Sequence, residues 1–203
     1  MDAGAPRRGE PEDLDRLTET LWLAFGEDPL WRWAFPDHEQ LRPLWRLYIA
    51  SALSRGWVWT IGDFAAATVW IPPGLTELTP DEEAQLPGLM RELVGDRAED
   101  LLGLFERFEQ AHPHGAPHYY LTLFGTRPDR RGHGLGMRLL AANLELIDAE
   151  GAGAYLESSN AANEPRYESV GFARAGSFTT PDGAREVVTM WREPGAGAAR
   201  PRG

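Results

Sequence analysis

The chain has 203 residues, 42% of them hydrophobic and 25% charged, which is the balance of an ordinary globular protein and excludes a fibrous or wholly disordered one. A formal net charge of −11 opposes nucleic-acid binding, and no apolar run approaches the roughly 20 residues that span a bilayer. The lack of cysteine removes disulfides and thiol chemistry; together with a Met1–Arg16 start that has no signal-like apolar stretch, it sets the expectation of a cytoplasmic protein.

Such a length suits one domain, expected over residues 1–193, with a disordered tail at 194–203 where almost nothing apolar is available to bury. Every cation is arginine, so no lysine serves as a Schiff base or a phosphate-loop residue. In chain order, Leu14, Leu17, Leu21 and Phe25 fall at helical spacing and predict a first helix over Pro11 to Phe25, stopped by Gly26-Glu27-Asp28-Pro29. A second helix is expected over Leu41 to Ser54, then a hairpin of Trp57 to Ile61 and Ala65 to Ile71 around Gly62-Asp63. Helical pattern resumes from Pro80 to Ala111 with a break near Gly95-Asp96. His118 to Thr126 reads as a central strand, followed by a helix over Leu135 to Glu150 and a strand over Ala154 to Glu157. A short helix from Pro165 to Ser169 ends at Gly171, and two strands, Phe172 to Phe178 and Arg185 to Arg192, close the chain around Pro181-Asp182-Gly183. The order is mixed α/β and not a doubly wound alternation.

The segment richest in chemistry is Arg130-Arg131-Gly132-His133-Gly134-Leu135-Gly136-Met137, set between a strand and an amphipathic helix. Alternate glycines let backbone approach a ligand, and the helix start offers unpaired N–H groups to an anion. A plain strand-to-helix turn is the alternative. A phosphate loop of the Walker kind needs lysine and a hydroxyl here, and a Rossmann turn needs a third glycine where Met137 stands. The turn resembles the acetyl-CoA motif, Arg/Gln-x-x-Gly-x-Gly/Ala, of the GNAT superfamily of N-acetyltransferases.

A second segment strengthens the likeness. Tyr155-Leu156-Glu157-Ser158-Ser159-Asn160 leads into Asn163 through Phe172, which is similar to the family's Asn-rich stretch ending in Tyr-x-x-x-Gly-Phe. The resemblance implies an α/β GNAT fold: a mixed, mostly antiparallel central sheet with a splayed strand pair, flanked by helices. It implies acetyl-CoA as co-substrate, with Leu123, Phe124, Gly125 and Thr126 along the pantetheine arm and Arg131, Gly132, His133, Gly134, Leu135, Gly136, Met137 and Asn160 completing the coenzyme site. It also implies Tyr167 as general acid to the departing thiolate and main-chain N–H groups of the splayed strand on the thioester carbonyl. Ala24-Phe25 with Asp28-Pro29, Ala67-Thr68-Val69-Trp70 with Pro73, and Pro181-Asp182-Gly183 before Met190 resemble the branch that includes puromycin N-acetyltransferase, a likeness running from Pro11 to Glu193. That branch implies an antibiotic or other metabolite amine as acceptor. The family's first strand is not legible in Gly4 to Gly9, and His133 stands where Lys or Arg is common.

An amine attacks only when unprotonated, so a base is needed; Glu157 and His118 are the candidates, each with a plain structural alternative. Phe25, Trp31, Trp33 and Phe35 are expected to wall the acceptor, with core packing as the other use of such a cluster. Glu27 and Asp28 favour a cationic amine over an anion. His112, His114 and His118 lie among prolines and glycine, and no metal is expected. The helical material between Pro80 and Ala111 exceeds what the fold needs and suits a lid or a homodimer surface. Protein or peptide N-acetylation and a non-catalytic acyl-CoA-binding regulatory module are the competing functions.

Overall fold

In the computed structural model, which describes residues 4–55 and 57–196, the chain opens with strand β1 (Arg7–Arg8). Helices α1 (Leu14–Ala24), α2 (Pro29–Ala34) and α3 (Leu41–Leu53) follow, then the hairpin of β2 (Val58–Ile61) and β3 (Ala66–Ile71). Helices α4 (Pro80–Val94) and α5 (Ala98–Ala111) lead to strand β4 (His118–Thr126). The remainder is α6 (Leu135–Ala149), β5 (Gly153–Ser158), α7 (Glu164–Glu168), β6 (Ala173–Thr179) and β7 (Glu186–Arg192). Seven strands form one sheet in the order β1-β2-β3-β4-β5-β7-β6, antiparallel throughout except for the parallel pair β4–β5. This is the α/β architecture expected from the sequence. No helix among the described residues is long and apolar enough to cross a membrane.

Alternation along β3 separates two cores. Ala67, Val69 and Ile71 join the cluster of α1, α2, α3, α4 and α5, while Trp70 joins the cluster built on Leu140, Leu144 and Ile147 of α6. Buried Asn143 of α6 accepts from Thr68 Oγ1 at 2.7 Å and Trp70 Nε1 at 3.1 Å, pinning that helix to the strand. At the far end, Arg192 is 1% exposed and holds both oxygens of Asp148 at 2.6 and 2.7 Å while donating to Val170 O. The Arg192 guanidinium keeps the Asp148 carboxyl below its ordinary range. Gly195 N–H also reaches Asp148, so the turn Pro194–Ala196 lies against the sheet end; the rest of the tail expected at 194–203, residues 197–203, lies outside the described residues.

Two irregularities place the site. Strand β4 pairs with β5 only from His118↔Gly153 to Leu121↔Leu156; beyond that, Glu157 and Ser158 pair with β7 alone and Leu123 to Thr126 pair with β3 alone. The other irregularity is a bulge: Trp70 opposes Leu121 and Val69 opposes Leu123, leaving Thr122 as the extra residue at the point of divergence.

Two expectations need correction. A strand is present in Gly4 to Gly9 after all, as Arg7–Arg8 paired with Thr60 and Trp59. Asp28-Pro29 does not merely stop the first helix but starts α2, with Asp28 Oδ1 accepting from the amides of Leu30 and Trp31 and proline in the first turn.

Candidate active site

The glycine turn begins where β4 ends. Gly134 has φ +71°, a conformation strained for other residues, and a Cβ built there meets nothing within 4 Å, so its outer side is open. At Gly136 the constraint is closeness: a Cβ would fall 2.3 Å from Thr126 Oγ1, so the first turn of α6 rests directly on the end of β4. Arg138 N–H bonds Gly134 O, and no amide from Gly132 to Met137 has a protein acceptor among the described residues. Those donors and the positive end of a 15-residue helix make a concave cradle that suits a diphosphate. Arg131 is spent differently from a free phosphate ligand. Its guanidinium bonds Ala24 O at 2.9 Å and Thr126 O at 3.4 Å, tying the turn to the end of α1; Arg130 lies beside Asp129 and His133 is exposed.

From this cradle the unpartnered edge of β4, Leu123 to Thr126, leads to a cavity of about 800 Å³. Phe25, Trp31, Trp45, Tyr48 and Phe108 supply its aromatic side, and Thr122, Glu157, Ser159 and Tyr167 its polar side. Trp31 and Trp45 sit edge to face at 4.5 Å, with Phe25 5.2 Å from Trp45. Tyr167 packs between Phe124 and Phe172 at ring distances of 6.3 and 6.1 Å, and its carbonyl takes the amides of Val170 and Phe172 that end α7. Burial, then the Asp28 charge, pushes the phenol well up, so it stays protonated and able to donate.

Glu157 reaches the cavity from the far side of the divergence. Burial pushes its carboxyl up to about 7 against the opposing pull of the phenols of Tyr120 and Tyr155, and Oε1 is buried without a hydrogen-bond partner among the described residues. Glu77, from the β3–α4 loop, accepts from the hydroxyl of bulged Thr122. Burial, then the negative charges of Glu157 and Glu109, pushes Glu77 up to about 8. Two neighbouring carboxylates without a cation thus face the same space.

Other expected residues stand elsewhere. His118 does not line the cavity; it lies behind His112, the two Nε2 atoms 3.1 Å apart, with His118 Nδ1 on Ala116 O at 2.9 Å. His112 does line it, and burial, then His118, pushes its pKa down to about 4. No group of three metal-ligating side chains occurs among the described residues. Trp33 points away from Trp31 and lies between Arg97 and Arg185 at 5.4 and 5.7 Å, while Phe25 and Trp31 take the cavity wall. Asn160 spends its side-chain oxygen on Ala162 N–H, and Asn163 is the asparagine on the wall. Asp28, expected to favour a cation, is committed to the start of α2 and to Ser159 Oγ at 2.7 Å; Glu27 is exposed beside Arg32. Sequence reasoning missed Glu77, Thr122, Tyr120 and His112, of which only His112 had a signal, its place in a histidine-rich loop.

Comparison with known proteins gives a consistent picture. The family model for the acetyltransferase (GNAT) family matches residues 29–172. An uncharacterized N-acetyltransferase of Schizosaccharomyces pombe is 26% identical over 209 residues, spanning 94% of this chain and 83% of its own. Among solved structures, a Corynebacterium glutamicum protein described as histone acetyltransferase HPA2 and related acetyltransferase superposes with a TM-score of 0.71 at 21% identity, covering 99% of each chain. The polyamine N-acetyltransferase of Drosophila melanogaster superposes at 0.62 with 17% identity, covering 92% of this chain and 97% of its own. At these identities the two structures bear on the fold alone.

Proposed function

This chain belongs to the acetyltransferase (GNAT) family, and from that premise we propose that it moves an acetyl group from acetyl-CoA directly to a primary amine of a small molecule, an antibiotic or other metabolite. That it is an acyltransferase enzyme follows from the family, which uses acetyl-CoA as its co-substrate. The observation that carries the finer reading is the divergence of β4 from β5 after Leu121, which leaves one free strand edge running from the glycine cradle to the cavity of Glu157 and Tyr167.

Acetyl-CoA supplies an acyl carbon activated as a thioester. In this reading the amides of Gly132 to Met137 hold its diphosphate, and the N–H and C=O groups of Leu123 to Thr126 hold the pantetheine arm and polarise the thioester carbonyl. Glu157, basic near neutrality, takes the proton of the incoming amine. The Tyr167 hydroxyl, kept protonated by burial, donates to the departing sulfur. Residues of α4 and α5 on the cavity wall support a small acceptor over a protein terminus. Resemblance to the puromycin N-acetyltransferase branch at Ala67-Thr68-Val69-Trp70 and Pro181-Asp182-Gly183 supports an antibiotic-like amine. The cysteine-free composition supports a reducing, cytoplasmic setting.

Release of CoA thiol, followed over aminonucleosides, aminoglycosides, amino acids and polyamines, tests the proposal. Amine-dependent, saturable release with at least one class is the expected result. Tight acetyl-CoA binding with no release across the panel would instead identify a non-catalytic binding module.

A further inference from the structure

The charge on the cavity wall is one-sided. Six carboxylates line it, Asp28, Glu77, Glu83, Glu106, Glu109 and Glu157, together with His112 and no arginine among the described residues. Asp28 is accounted for by the start of α2. None of the other five is in an ion pair among the described residues. They fall into two groups by exposure: Glu77 and Glu157 are partly buried at the strand divergence, whereas Glu83 of α4 and Glu106 and Glu109 of α5 are exposed at the rim. Among the described residues two buried wall atoms have no hydrogen-bond partner: the acceptor Glu157 Oε1 and the donor Trp45 Nε1, the latter on a side chain only 2% exposed. The same cavity wall carries the aromatic side chains of Trp31, Trp45 and Phe108.

We propose that the acceptor is a dication: its reacting nitrogen enters between Glu77 and Glu157, an apolar spacer lies against the aromatic wall, and a second cationic group sits at the rim with Glu83, Glu106 and Glu109. The identity of the first nitrogen as the acetylated one rests on the transfer reading above; the preference for two charges does not. A monoamine offsets only the inner pair and leaves the rim without counter-charge, and a zwitterionic amino acid brings its carboxylate against that rim. Helices α4 and α5, more than the sheet requires, thereby act as the specificity device. At the rim each exposed pair is weak, so the three carboxylates together amount to roughly tenfold in affinity at moderate salt.

Calorimetric titration of the full chain with α,ω-diaminoalkanes from butane to octane, each against the 1-aminoalkane of equal length, tests this. At least one diamine should bind roughly tenfold tighter than its monoamine. Raising the salt should shrink the difference, and the double variant E106Q/E109Q should bring the ratio toward one. Equal dissociation constants across the whole series would overturn the proposal. So would a diamine preference that survives both high salt and the double variant. Thiol release separates the two readings: a bound diamine with no acetyl transfer overturns the transfer reading and keeps this one, whereas brisk transfer to monoamines and diamines alike with equal affinity does the reverse.

Discussion

Burial displaces the proton affinities of Tyr167 and Glu157 in the same direction, with different consequences for a phenol and a carboxyl. The phenol is held protonated and able to donate, while the carboxyl, pushed up to about 7, is far more basic than an ordinary glutamate. Tyr167→Phe keeps the ring between Phe124 and Phe172 and removes only the hydroxyl, so kcat at saturating substrates should fall about 10²-fold or more with little change in the KM of acetyl-CoA. An unchanged kcat would remove Tyr167 from the acid role. Only the ionised carboxylate of Glu157 accepts a proton, so kcat/KM should rise as pH climbs through about 7, and Glu157→Gln should be slow with that rise abolished. A rise retained in the variant would assign the base elsewhere. Both residues were legible because each sits in a motif of recognisable spacing. Glu77 was not, since a loop residue acquires its neighbour only through the bulge at Thr122, and bulges leave no periodic trace. Trp31 and Trp33 looked alike in sequence; two positions along a helix turn about 200°, so one faces the cavity and the other the arginines.

At the scale of elements, the glycine cradle works only if α6 begins on top of β4. The Gly136→Ala change drives a methyl into Thr126 Oγ1 and Phe124, and overpacking of this kind costs about 1–3 kcal/mol. The damage should fall on acetyl-CoA binding, weakened at least about tenfold by calorimetry, because the amides that shift are the ones offered to the diphosphate. Undiminished affinity would place the coenzyme elsewhere. Helical periodicity made most helices readable, aromatic and β-branched content the whole of β4, and Gly95-Asp96 the interruption between α4 and α5. The shortest elements escaped because they lack a period to read. β1 is 2 residues held by its pairing with β2, and α2 is 6 residues whose Asp-Pro start looks identical to a stop. The parallel pair and its divergence are tertiary facts, reachable beforehand only through the family likeness.

Across the molecule, carboxylates without an ion-pair partner among the described residues gather where β4 and β5 diverge. Glu77 and Glu157 have folded-state pKa values of about 8 and 7, above the unfolded value near 4.3. Folding therefore favours their protonated forms: the penalty is absent below about pH 4, grows as pH rises, and is complete above about 8. The ligand-free protein should lose Tm between pH 6 and 8.5, and Glu77→Gln, which removes a charge facing Glu157, Glu109 and Tyr48, should raise Tm at pH 8.5 and flatten the slope. Scanning calorimetry at the two pH values checks this, and a variant less stable at pH 8.5 would contradict it.

Central to the proposed function is a coenzyme lying along the free edge of β4 with its diphosphate at the start of α6. Amide hydrogen exchange with and without acetyl-CoA measures this most directly. Protection is predicted over Leu123 to Thr126 and Gly132 to Met137, with β1 and the β6–β7 edge unaffected. No protection in those two segments at saturating acetyl-CoA, or protection confined to other strands, would contradict it.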